Sequence, residues 1–217
     1  MGGFSIWEGV DTIKFTTKIP KFNEQTHIEL LNDDWKQLKE PKSLTNAMLL
    51  SMPFMVINAL ISMGIIYFFS TFSLKKFSFI SGDSFVITID LGVFVAMVLV
   101  IVIHEFFHLI FIPNFLKSGD TVIGLTFYGA FVHTEQTVTK DRFLLITIAP
   151  FLFLSVFFPL FLSILGILTG KMLVFIILNS LGASLDILGF FLVLVQIPRN
   201  AVVRNNGTRT YWKMRKQ

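Results

Sequence analysis

Val100-Ile101-Val102-Ile103-His104-Glu105-Phe106-Phe107-His108-Leu109-Ile110 places two imidazoles and a carboxylate inside an otherwise apolar run. An apolar helix has no structural use for these groups, and ionisable side chains within a membrane segment are costly and mark function. The spacing is HExxH. On a helix, His104 and His108 stand four residues apart on one face and can both reach one metal ion, with Glu105 beside them as a base toward an attacking water. This is metalloprotease chemistry. The bland alternative is a pair of histidines hydrogen-bonded within a helix bundle, with Glu105 paired to a cation.

The rest of the chain agrees with a membrane setting. Of 217 residues, 53% are hydrophobic and 26 are Phe, and the mean hydropathy is +0.72. An ordinary soluble domain is less apolar, so the sequence predicts an all-α integral membrane protein. Four stretches, 46–70, 88–112, 143–168 and 172–197, reach the ~20 helical residues that cross a ~30 Å hydrocarbon core. The first follows a long polar or mixed segment and lacks a small-residue cleavage pattern, which predicts an uncleaved helix. The chain has no cysteine. Disulfides and thiolate ligands are therefore excluded, and any metal must be held by His, Asp or Glu.

Charge placement predicts topology. Lys and Arg number six before the first span, two, three and one in the successive loops, and six after the last span. With four spans, the two termini and the middle loop share a side that holds fifteen of the eighteen. The positive-inside rule then puts both termini in the cytoplasm of a multi-pass cell-membrane protein. That explains the basic stretch from Arg199 to Lys216 better than nucleic-acid binding does, so no nucleic acid is expected as a partner. No repeat or linker divides the chain. Residues 1–217 read as one module: an N-terminal segment (1–45), a transmembrane bundle (46–197) and a basic tail (198–217).

Shorter signals fill in the ends and loops. Partial alternation in Asp11–Ile19 suggests a short strand, and Ile28, Leu31, Trp35 and Leu38 predict an amphipathic surface helix over about Glu24–Glu40. Pro53, Pro150 and Pro159 each remove a backbone donor and invite a kink. Between the second and third spans, residues 121–134 are rich in β-branched and aromatic residues with two glycines, which predicts a hairpin. Its edge could hold an extended substrate by backbone hydrogen bonds; a plain covering hairpin is the alternative.

A catalytic zinc site needs a third protein ligand. Counting from the cytoplasmic ends of their spans, His108 and His104 lie about 6–12 Å deep and Asp186 about 16 Å, which overlap within boundary error. Asp186 shares a helical face with Asn179, Gly182 and Ala183, small residues that would let the fourth span approach the second closely. Asp90, about 21 Å along the axis from His104, cannot reach the site. His133 and Glu135 follow the motif closely and are the runner-up ligands or substrate contacts.

From the second span to the C-terminus the chain resembles the zincin peptidase family of small bacterial membrane proteins, itself similar to the site-two intramembrane metalloproteases. The stretches that carry the resemblance are His104-Glu105-Phe106-Phe107-His108, Ala149-Pro150, Asn179-Ser180-Leu181-Gly182-Ala183-Ser184-Leu185-Asp186 and Ile197-Pro198. In site-two proteases the aspartate ligand usually lies in an Asn-Pro-rich turn followed by glycine, whereas here Ile187 follows Asp186 and no proline is near. The resemblance implies zinc held by His104, His108 and Asp186, with Glu105 as catalytic base. Asn179 is then placed to donate to a developing oxyanion or to substrate backbone. The implied activity is endoproteolysis of a membrane-associated protein or peptide near the cytoplasmic leaflet. Homo-oligomerisation is compatible with it. The competing class is a non-catalytic membrane protein that binds, senses or transports a divalent cation.

Overall fold

The structure, a computed structural model, describes residues 13–70, 80–81, 84–85, 91–126 and 129–215. Asp90, the start of the expected second span, the tip of the 121–134 hairpin and Asp11–Thr12 lie outside them. Three helical stretches are long and apolar enough to cross a membrane, and a bent pair makes a fourth. They are α2 (Leu44–Phe69), α3 (Leu91–Ile110), the Lys140–Ile164 stretch, and α6 (Gly170–Gly182) with α7 (Ser184–Gln196). A short α1 (Glu24–Asn32) precedes them. The third stretch consists of α4 (Lys140–Phe151), one π-helical segment (Leu152–Phe157) and α5 (Phe158–Ile164).

The expectation of a purely α-helical protein is corrected by the strands. One sheet orders β1 (Lys14–Thr16), β5 (Thr121–Thr126) and β6 (Gly129–Thr134), with β1 parallel and β6 antiparallel to β5. A second orders β2 (Lys36–Gln37), β9 (Arg209–Met214), β8 (Ala201–Asn206) and β7 (Val138–Thr139). A two-residue pair, β3 (Ile80–Ser81) and β4 (Ser84–Phe85), forms a separate ribbon. The expected amphipathic helix stops early: Asp34 takes a left-handed φ of 61°, and the chain then turns into β2. The basic tail is a β-hairpin. Its two-residue turn is Gly207-Thr208, with Gly207 at φ 53° and so close to the Lys21 backbone that a Cβ would collide with it.

Both larger sheets sit at one end of the bundle. Leu109, Ile112 and Ile146, where α3 ends and α4 begins, pack with Ile123 and Val132 of the first sheet. Val193 and Ile197, where α7 ends, pack with Leu38, Ala201 and Val203 around the second. These clusters fix the last turns of α3 and α7 relative to each other.

Polar groups inside the bundle explain its irregularities. Pro159 has no N–H to offer the Ser155 carbonyl four residues earlier, and that carbonyl accepts a hydrogen bond from Ser62 Oγ (2.8 Å). The Ser180 carbonyl, which the Ser184 N–H would use in an unbroken helix, accepts instead from Asn58 Nδ2 (3.1 Å). There the fourth span breaks, bending by 41° between α6 and α7. The break leaves Asp186 in the first turn of α7, where the positive end of the helix dipole favours a carboxylate.

Candidate metal centre

His104 and His108 occupy one face of α3, one turn apart, with ring centroids 5.1 Å from each other. Asp186 reaches them from α7. Its Oδ2 lies 3.1 Å from His104 Nε2 and its Oδ1 lies 3.4 Å from His108 Nε2. One ligand atom from each residue falls within 4.8 Å of the others, and among the described residues this is the group that could hold a metal ion. A tetrahedron with ~2.1 Å bonds separates its ligand atoms by ~3.4 Å, close to the distances seen.

The far side of each imidazole is held. His104 Nδ1 donates to Asn179 Oδ1 (2.9 Å), and Asn179 Nδ2 in turn donates to Ser155 Oγ (2.9 Å). His108 Nδ1 donates to the Ile146 carbonyl (2.7 Å). That carbonyl is available because its helical donor would be residue 150, which is a proline. Both Nδ1 atoms are committed as donors, which leaves Nε2 as the ring nitrogen facing Asp186 and the one a metal ion would take. Two imidazoles oriented from behind, with a carboxylate opposite them, fit a zinc ion.

Glu105 is not part of the ligand group, and its carboxylate accepts from the Val132 backbone of β6. It lines a cleft of about 290 Å³ together with His104, Asn179, Gly182, Gly129 and Ala130. The edge of the hairpin therefore borders the same space as the motif. β6 is an edge strand of its sheet. Gly182 does not bring helices together: a Cβ there would meet nothing within 4 Å, and its bareness widens the cleft. Ala183 is the small residue that packs, against Phe151 and Ile187 with Phe54 of α2 beside them.

Residues 97–202 match the family described as "Putative zincin peptidase". The matched residues, a little under half of the chain, are similar to that family. The matched segment contains His104, Glu105, His108, Asn179 and Asp186. No curated protein and no solved structure matches the chain. A zincin is a metallopeptidase whose name implies zinc, which agrees with the ligand set.

The runner-up ligands lie elsewhere. His133 Nε2 is 3.8 Å from Glu135 Oε1, and neither belongs to the metal-binding group. Glu135 Oε1 accepts a hydrogen bond from the Gly207 N–H (2.9 Å), tying β6 to the C-terminal hairpin. Burial pushes the His133 imidazole pKa down, against the pull of Glu135. Sequence reading missed Ser155 and Pro150 as supports of the site. The available signal was a proline four residues after a helical position, which frees that position's carbonyl.

Proposed function

We propose that the chain is a zinc-dependent, membrane-embedded endopeptidase that cuts membrane-associated proteins near the cytoplasmic leaflet. The observation that carries this reading is the convergence of His104, His108 and Asp186, with both imidazoles held through Nδ1 so that Nε2 faces Asp186, and Glu105 beside them on a cleft. His104, His108 and Asp186 would hold a zinc ion, which would supply a Lewis acid for the peptide carbonyl and lower the pKa of water toward ~7.

The chain's own residues do the rest. Glu105 takes the proton of the attacking water and delivers it to the leaving amine nitrogen. The Val132 N–H holds the Glu105 carboxylate at the cleft wall until substrate enters. An extended substrate segment lies along the β6 edge at Gly129 and Ala130, held by backbone hydrogen bonds. Asn179 fixes His104 and lines the cleft, and its remaining N–H would serve a developing oxyanion there. Both termini lie in the cytoplasm. Support for that orientation comes from the basic residues gathered at the bundle end that carries both sheets.

The test is Glu105→Gln in full-length protein reconstituted with a membrane-anchored reporter. Zinc should stay bound while cleavage drops by roughly 10²–10⁴-fold, the span general base catalysis contributes. Full activity in that variant would sink the mechanism. A wild type that binds zinc and cuts nothing would favour metal sensing or transport.

A further inference from the structure

A groove of about 860 Å³ opens where α2 begins, away from the metal centre. Its rim carries Lys39, Lys42 and Arg209, and its wall carries Leu49, Leu50 and Leu192. The rim is built. Gln196 holds the Lys39 backbone from both sides, accepting from its N–H (3.0 Å) and donating to its carbonyl (2.9 Å). Arg209 donates to the carbonyls of Pro41 (3.2 Å) and Lys42 (3.3 Å).

The charge there is lopsided. Three cations face one carboxylate, Glu40, which is occupied by the Thr210 N–H (2.7 Å) and Thr210 Oγ1 (3.1 Å). Among the described residues, no carboxylate lies within ion-pair distance of Lys39, Lys42 or Arg209. The first turn of α2, with Asn46 lining the groove, turns its positive end toward the same rim.

Below the rim the groove becomes apolar. Leu49 and Leu50 lie five and six residues into α2, about 8–9 Å down the helix, and are 61% and 50% exposed. A free anion would leave those leucines unused, whereas a lipid uses both levels.

We propose that this groove binds one anionic phospholipid, with its phosphate among Lys39, Lys42 and Arg209 and an acyl chain along Leu49, Leu50 and Leu192. The bound lipid joins the start of the first span to the end of the last and to β9. This site stands independently of the peptidase reading.

The test is native mass spectrometry of the full chain in neutral detergent, with phosphatidylglycerol or phosphatidylcholine of identical acyl chains. Wild type should retain phosphatidylglycerol at least about tenfold better. Lys39→Gln with Lys42→Gln should weaken that retention roughly 30-fold, two surface cations' worth at an anionic headgroup. Lys18→Gln with Lys21→Gln, the same charge loss outside the groove, should leave it within about twofold. Equal retention of the two lipids, or equal loss in both double variants, would overturn the proposal. So would displacement of the lipid by millimolar inorganic phosphate, which would mark a soluble-anion site.

Discussion

Among the described residues, two places set a buried imidazole near a carboxylate, and they differ in what stands behind the ring. In the bundle, His104 and His108 each spend Nδ1 on a fixed acceptor and turn Nε2 toward Asp186. In the hairpin, His133 Nε2 is buried without a hydrogen-bond partner, and nearby Glu135 is committed to the Gly207 amide. Proximity of histidine and acid is common to both. Only the first has the supports that fix tautomer and direction, and a metal site depends on those as much as on its ligands.

Removing a support tests the contrast most sharply. Asn179→Ala leaves His104 Nδ1 without its acceptor and should weaken zinc affinity about 10–100-fold, measured by competition with a chromophoric chelator. An unchanged affinity would show that the asparagine is only a packing residue.

Pro150→Ala should act more gently and with a telling pair of signs. An alanine N–H at 150 competes for the Ile146 carbonyl and loosens His108, lowering zinc affinity by about 3–10-fold. The same change restores a helical donor, so the zinc-free protein should be as thermally stable as wild type or more so. A loss of both would mean general damage to the bundle.

The smallest effect belongs to the hairpin. His133 has its pKa lowered by burial, so the folded state binds fewer protons there than the unfolded state. Its contribution to stability is present above the unfolded pKa, near 6.5, and is lost as pH falls through the folded value. Zinc-free His133→Gln should therefore lose less thermal stability than wild type between neutral and mildly acidic pH. Identical pH profiles would contradict this account of His133.

Much of the frame is legible in the chain because long apolar runs have one stable solution in hydrocarbon, a helix. His104, His108 and Asp186 stand out for a related reason: an ionisable group inside such a run has no packing purpose. The bend of the fourth span is not legible, because it depends on Asn58, from another helix, taking the Ser180 carbonyl. The second sheet is hidden for the same reason. It joins Lys36–Gln37 to the C-terminal hairpin across most of the chain length. The hairpin itself did carry a local signal, Gly207 opening a two-residue turn between alternating strands, obscured by a basic composition that topology explained too readily. The prolines read as kinks, whereas Pro150 and Pro159 release carbonyls that His108 and Ser62 use.

The most direct measurement is zinc content by mass spectrometry on detergent-purified protein prepared without chelators, for wild type, His108→Ala, Asp186→Asn and a His133→Gln/Glu135→Gln double variant. Near-stoichiometric zinc in wild type and the double variant, lost in the other two, is the result expected. Zinc that survives in His108→Ala and Asp186→Asn, or that disappears from the double variant, would place the metal elsewhere and contradict the central claim.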